Sequence, residues 1–256
     1  MLFHYFHQMT SRKVTLFNVE VDALTMIETV QLIDESLKLK KQLVHNCINA
    51  NKVVLMEKDA FLRTSLNEAD IISADGQAVV WASRLLRQPL PERVPGIDLM
   101  ENLIELSNRR GYKVFLFGAT EEIVKNVCTL YENIFNKGLV AGFRNGYYTQ
   151  KDELDIVAQI NNSGANMLFV AIPSPQKEVF INKYKHQLPN VGLLMGVGGS
   201  FDVISGKVTR APRWMQNNGL EWLFRLIQEP RKMWKRYLIG NWIYIRLTFR
   251  AYLSNK

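Results

Sequence analysis

Three short apolar runs constrain this chain most. Residues 113–117 (KVFLF), 167–171 (MLFVA) and 193–197 (LLMGV) are too short for core helices and carry no polar alternation. A strand that is apolar at every position is buried on both faces, the mark of a parallel sheet covered by helices. Each run ends in glycine or polar residues and leads towards a segment with helical spacing. That order predicts an α/β, Rossmann-like, mostly parallel sheet flanked by helices, with ligand loops along its carboxyl edge. Further strands are expected over 14–19 (VTLFNV), 43–48 (LVHNCI), 71–73 and near 140–142. Helices are expected over 22–40, 53–66, 78–87, 98–110, 121–135, 151–163 and 177–185. In the first of these Leu24, Ile27, Val30, Ile33 and Leu37 fall on one side, and Thr25 with Glu28 forms a capping box at the start.

The strand ends carry the candidate chemistry. Residues 43–48 run into Asn49, Ala50 and Asn51. Residues 71–73 run into Ala74, Asp75 and Gly76. Residues 167–171 run into a polar stretch that includes Gln176, Lys177 and Glu178. In the last run Gly196, Gly198 and Gly199 remove side chains where a ligand could meet backbone N–H groups, and Asp202 follows at the edge of that turn. The turn reads equally well as a plain strand–helix connection. Asp75 also has two readings. At a strand end beside a cleft it is placed as a general base. In front of a helix it is a favoured N-cap, worth about 1 kcal/mol, and the residue pattern by itself favours the cap.

Charge separates the chain into two parts. Of the 256 residues, those from Lys207 onward hold eleven Lys and Arg against Glu221 and Glu229, a surplus of nine. The rest holds 21 basic against 22 acidic residues, a net of −1, which accounts for the overall +8. We therefore divide the chain into an α/β body over 1–206, which two packed subdomains could make up, and a basic, aromatic, helical C-terminal appendage over 207–256. A local anionic partner fits this distribution better than a general nucleic-acid coat, and no nucleic acid is expected. Trp214, Trp222, Phe224, Trp234, Tyr237, Trp242 and Tyr244 interleave with Arg and Lys, a composition suited to an anionic membrane surface. An ordinary helix with aromatics in the core and charges in water is the other reading. Residues 237–253 are interrupted by Arg246 and Arg250, and no stretch reaches the ~20 apolar residues of a span. The first thirteen residues lack a signal-peptide pattern. Cys47 and Cys128 make no disulfide framework, which fits a reducing cytoplasm. His4, His7, His45 and His186 have neither metal nor triad spacing, and His4 and His7 read as part of a frayed terminus.

Several pieces in order carry a family resemblance: Asn49 to Val54 (NANKVV), Ala74-Asp75-Gly76 with Val80-Trp81, Arg93 to Leu99 (RVPGIDL), Phe115 to Gly118 (FLFG), Gly146-Tyr147-Tyr148, Gly196 to Asp202 (GVGGSFD), and Arg210-Ala211-Pro212 with Gly219 to Leu226 (GLEWLFRL). From about Val14 to about Tyr237 the chain resembles the WecG/TagA/CpsF bacterial glycosyltransferases, glycosyltransferase family 26. The resemblance implies transfer of a sugar, with inversion, from a UDP-sugar to a sugar on a polyprenyl diphosphate, in the synthesis of teichoic acid, common antigen, capsule or exopolysaccharide. It implies a protein peripheral to the inner face of the cell membrane, with self-association left open. No metal or organic cofactor is expected, and the chain has no clear Asp-x-Asp motif.

The resemblance makes Asp75 the general base, reversing the cap reading. It sets Arg93 against the leaving diphosphate, and Gly196, Gly198, Gly199 and Asp202 around the nucleotide. Arg210, Arg225, Lys232 and Lys235 lie in the appendage, within reach of a diphosphate. Two departures bear on the substrates. Cys47 stands where the family usually has Thr, a poor replacement for a hydroxyl beside Asn49 at the acceptor. The usual Gly-x-Pro-x-Gln-Glu becomes Pro173-Ser174-Pro175-Gln176-Lys177-Glu178, and the lysine could meet a sugar carboxylate or a phosphate. N-acetylmannosamine, its uronic acid and glucose all stay open as the transferred sugar. Two other classes stay open from the residues alone. One is a nucleotide-dependent oxidoreductase, although no acidic residue follows the glycine turn at ribose spacing within a βαβ unit. The other is a non-catalytic membrane-binding adaptor.

Overall fold

Residues 13–22 form a hairpin, where the sequence pattern suggested a strand followed by the start of a helix. In the computed structural model, which describes residues 12–254, β1 (Lys13–Leu16) pairs antiparallel with β2 (Val19–Asp22). His4, His7 and the side chain of Lys232 lie outside the described residues. The two-residue turn Phe17-Asn18 has φ of 54° and 62°, the left-handed pair that a type I′ hairpin requires. Asn tolerates this conformation; Phe does not, but its ring is held 5.4 Å from that of Tyr244, near the other end of the chain.

Helix α1 (Met26–Lys38) begins at Thr25, with the capping box to Glu28 formed as predicted. Its buried side carries Thr29, Leu32, Ile33 and Ser36, whereas Ile27, expected inside, is exposed.

Asp22, expected within a helix, ends β2 instead. Its buried carboxylate accepts the Ile72 N–H at 2.7 Å and fastens the hairpin to the main sheet. Burial, outweighing that hydrogen bond, pushes the carboxyl from 3.8 up to about 6. The folded protein therefore binds this proton more tightly than the unfolded chain does. The stabilisation is present in full below the unfolded value and is lost as pH rises through about 6. A shift of this size corresponds to about 3 kcal/mol. Asp22→Asn keeps an acceptor for Ile72 and removes the titration. Urea midpoints measured from pH 4 to 7 should fall for the wild type and stay nearly flat for the variant. Parallel curves would show that Asp22 does not titrate in this window.

The main sheet holds β3 (Leu43–Ile48), β4 (Ile71–Ala74), β5 (Val114–Gly118), β6 (Val140–Arg144), β7 (Met167–Ala171) and β8 (Leu193–Gly196). Their order is β4-β3-β8-β7-β5-β6 and every pairing is parallel. Successive residues face opposite cores, as the two-residue period of a strand demands. Val44, Ile72, Phe115, Phe117, Leu168, Val170 and Leu194 enter one core; Leu43, Ile71, Val114, Leu116, Met167, Phe169 and Leu193 enter the other. Strands β5 and β7 approach very closely where they end. A Cβ on Gly118, whose φ is +135°, would lie 2.5 Å from the Ala171 backbone.

The helices on the two faces are α2 (Ala50–Met56), α3 (Ala60–Asn67), α4 (Gln77–Leu85), α5 (Gly96–Arg110), α6 (Glu121–Ile134), α7 (Glu153–Ser163) and α8 (Gln176–Tyr184), with the short α9 (Ser200–Ile204) after β8. The single helix expected over 53–66 is two, because Asp59 caps a new helix by accepting the Leu62 N–H. The basic C-terminal segment is a series of short helices: α10 (Arg213–Asn217), α11 (Glu221–Gln228), α12 (Pro230–Trp234), a π-helical turn (Lys235–Ile239) and α13 (Gly240–Ser254). Helix α13 packs on α2, and the Tyr244 hydroxyl donates to the Ala78 carbonyl at 3.0 Å. Trp214, Trp234 and Trp242 are exposed, so the reading with the tail aromatics in the core holds for Tyr244 but not for them. Among the described residues no helix is long and apolar enough to cross a membrane.

Candidate active site

All six strands of the main sheet point their carboxyl ends at one cavity of about 1110 Å³. The loops after them supply its floor, and α11, the π-helical turn and neighbouring tail residues supply its opposite wall. This is where open parallel sheets bind ligands, in the crevice outside the carboxyl ends of their strands.

Asp75 follows β4 and is half-buried at the cavity wall. The helix behind it is capped by Gly76, with no side-chain cap bond, so Asp75 is not an N-cap. Its carboxylate is turned away from α4. One oxygen accepts from Asn49 Nδ2 at 3.4 Å and faces Cys47 Sγ at 3.6 Å; the other accepts from the Gly96 N–H at 3.3 Å. Asn49 works with both ends of its amide. Its oxygen caps α2 through the Lys52 N–H at 3.0 Å, which leaves the NH₂ for Asp75. Burial raises the proton affinity of Asp75 above the ordinary carboxylate value, against the Asn49 and Gly96 donors, and the charge of Glu221 adds to the rise. A half-buried carboxylate with raised proton affinity, facing a cavity, can take a proton from a substrate hydroxyl. The Cys47 thiol is pushed up to about 11, chiefly by burial, and stays a weak S–H donor rather than a thiolate.

A buried charge cluster forms part of the floor, with Lys52, Ser174 and Lys177 lining the cavity and Glu178 outside its lining. Glu178 Oε1 meets Lys52 Nζ at 3.1 Å and Lys177 Nζ at 3.2 Å and accepts from Ser174 Oγ at 3.0 Å. Lys177 also donates to Ser174, and Lys52 donates to the Cys47 carbonyl at 2.8 Å. Two ammoniums against one carboxylate leave one positive charge in excess. Burial would raise the Glu178 carboxyl, but Lys52 and Lys177 together bring it below the usual range. Gly196 makes room for this arrangement, since a Cβ there would lie 2.8 Å from Lys177 Cε.

The glycine turn lies where the sequence put it. Gly198 has φ of +54°, and a Cβ on Gly199 would sit 3.2 Å from an Arg225 guanidinium nitrogen. That close approach brings the appendage against the turn. Asp202 pairs with Lys207 at 3.5 Å.

Of the residues singled out from sequence, Cys47, Asn49, Asp75, Gln176, Lys177, Gly196, Gly198, Gly199, Asp202, Arg210 and Arg225 line this one cavity. Arg93, Glu178 and Lys235 do not. Arg93 is engaged by Glu221, Glu178 lies behind Lys177, and Lys235 rests its ammonium 5.5 Å from the centre of the Trp234 ring. Sequence reasoning passed over Lys52, Glu221 and Arg236. Lys52 and Glu221 sit inside the motifs NANKVV and GLEWLFRL, but only the folded chain sets them beside the site. His45 is not part of the site: it is fully buried, Nε2 lies 2.9 Å from Ser73 Oγ, and burial lowers its ring to about 3, so it stays neutral. Among the described residues no group of three or more His, Cys, Asp or Glu side chains comes together as a metal site.

Comparison with known proteins adds an independent line. The model of the glycosyl transferase WecG/TagA/CpsF family matches residues 14–256. An N-acetylglucosaminyldiphosphoundecaprenol N-acetyl-beta-D-mannosaminyltransferase of Bacillus subtilis (strain 168) is 38% identical over 173 residues, covering 68% of this chain and 66% of the relative. A protein of the same name from Bacillus spizizenii is 37% identical over 173 residues, with the same coverage. The chain thus spans just under two thirds of the length of these curated relatives.

Proposed function

The chain belongs to the WecG/TagA/CpsF family of glycosyl transferases, and from that premise we propose that it is an inverting transferase moving a sugar from a UDP-sugar to a sugar borne on a polyprenyl diphosphate. The observation that carries this reading is Asp75, a half-buried carboxylate of raised proton affinity in a cavity walled on one side by a glycine turn and on the other by basic residues. The acceptor oxygen attacks the anomeric carbon from the face opposite UDP. Asp75 takes the hydroxyl proton, the bond from carbon to the phosphate oxygen breaks, and UDP leaves with the electron pair. Lys177, Lys207, Arg210, Arg225 and Arg236 line the cavity and can meet the diphosphates, the guanidiniums through paired donors. At about 1110 Å³ the cavity exceeds the usual range for one small ligand, which suits a donor and an acceptor together. The relatives' names favour an N-acetylmannosaminyl group and an N-acetylglucosaminyl-diphosphate acceptor. The test is acceptor-dependent UDP release, with EDTA present, across UDP-N-acetylmannosamine, its uronate and UDP-glucose. No release with any donor and no UDP binding by calorimetry would end this reading.

The same reading sets the protein against the inner face of the cell membrane. Trp242, Ile245, Phe249 and Leu253 are exposed along α13 at helical spacing, with Arg246 and Arg250 beside them. Flotation with anionic vesicles at low salt should recover the protein, neutral vesicles should recover far less, and Trp242→Ala/Phe249→Ala should weaken recovery. Equal flotation with neutral vesicles would remove the anionic surface from the proposal, and no flotation with either would remove the membrane.

A further inference from the structure

We propose that Glu221 is a positioning residue for the base: by holding Arg93 it fixes the loop whose Gly96 N–H binds the Asp75 carboxylate, so that Asp75 is set only when the C-terminal segment is seated. The inference rests on the transferase reading for its kinetic consequences and on geometry for the link itself.

The loop that ends in Gly96 runs alongside the end of β4. The Val94 N–H donates to the Ala74 carbonyl at 2.7 Å, and two residues later the Gly96 N–H donates to Asp75 Oδ1 at 3.3 Å. Pro95 between them holds φ at −66° and limits the loop's freedom. Gly96 is then straddled by two ion pairs to the appendage. On one side Arg93 binds Glu221, the first residue of α11. On the other, Asp98 in the first turn of α5 binds Arg210 at 2.5 Å. Arg210 Nε also lies 4.0 Å from Glu221, so the two pairs are joined. The N–H that touches the base is therefore braced from both sides by residues more than a hundred positions later in the chain. Arg93 is thereby engaged in holding the loop rather than free in the cavity.

The charged groups around the pair are few. Asp75 is faced by the neutral Cys47 thiol, by Lys52 and by Glu221, and Glu221 is faced by Arg93 and Arg210. Two variants separate the clamp from the charge. Both variants are neutral, but Glu221→Gln can still accept from Arg93 and Glu221→Ala cannot. Glu221→Ala should lower kcat by about 10- to 100-fold, the cost of a small misplacement at a reacting centre, with UDP affinity unchanged. Glu221→Gln should recover most of that loss and should move the acid limb of the kcat/KM profile to lower pH, because a negative neighbour of Asp75 is gone. The carboxyl pKa of Asp75, read by carbon-13 NMR in the ligand-free protein, should fall in the same variant. Glu221→Gln and the NMR titration decide the matter should Glu221→Ala fail to fold. Unchanged kcat in Glu221→Ala, or a loss confined to UDP affinity, would overturn the proposal, as would an Asp75 titration that Glu221→Gln leaves unmoved. If the wild type shows no turnover, the transferase reading falls, and the NMR titration alone then decides the link.

Discussion

Asp75→Asn should lower acceptor-dependent turnover by about 10²- to 10⁴-fold, the usual contribution of a positioned general base, while UDP binding is retained. Asparagine keeps the shape and an acceptor for the Gly96 N–H but cannot take a proton. The wild-type kcat/KM profile should carry an acid limb above 3.8, the ordinary aspartate value, because burial raises the proton affinity of Asp75. The sign follows from the role. A base must be unprotonated, so activity rises as pH passes upward through its pKa, and the limb should disappear from the residual activity of the variant. Stability should move the other way. A carboxylate whose folded pKa is raised destabilises the fold wherever it is ionised, so Asp75→Asn should melt at least as high as the wild type at neutral pH. A variant that loses activity together with its melting transition would report unfolding, and Asp75 would then have to be judged from the pH profile alone. Full activity in a folded variant would remove Asp75 from the mechanism.

The largest effect on stability should come from Glu178. Its side chain is fully buried between Lys52 and Lys177. Glu178→Gln leaves both ammoniums without a counter-charge, and breaking a buried ion pair in this way costs about 3–5 kcal/mol. For a chain of this size that is a fall in Tm of roughly 6–20 °C. Lys177→Gln is the informative partner, because it removes the surplus charge and leaves Lys52 and Glu178 balanced. It should cost clearly less than Glu178→Gln in a urea titration at neutral pH, whatever it does to substrate preference. The pH dependence has a definite sign. The folded pKa of Glu178 is held below 4.5, so its stabilisation is present above that value and is lost as pH falls through the lower, folded pKa. The gap between wild type and Glu178→Gln should therefore close in acid. Equal losses for Glu178→Gln and Lys177→Gln would mean that charge balance does not govern this cluster.

The sheet and most of its helices were legible because they follow from local pattern. A strand with both faces buried must be apolar at every position, as VFLF after Lys113 and MLFVA are, and a capping box such as Thr25 with Glu28 is complete within four residues. The errors also have local causes. The hairpin was missed because its turn places Phe17 at positive φ, which no propensity favours and which the distant Tyr244 ring accompanies. The helix over 53–66 was joined because Asp59 reads as an ordinary polar position until its cap is seen. Asp75 illustrates the limit at the site. Asp before Gly at a helix start looks like a cap, and the side chain's actual partners, Asn49 and Gly96, are about twenty residues or more away on either side.

What the sequence determined by itself is the class of fold, the carboxyl edge as the place for chemistry, and the concentration of positive charge after Lys207. These depend on periodicity and composition, which are properties of neighbours along the chain. Tertiary structure alone decided which charges meet. Lys52 shares Glu178 with Lys177, and Arg93 and Asp98 are bound by Glu221 and Arg210 from the appendage. The reason is physical. Burial and pairing set the free energy of a charge, and both depend on which segments the sheet order and the returning C-terminal helices bring together.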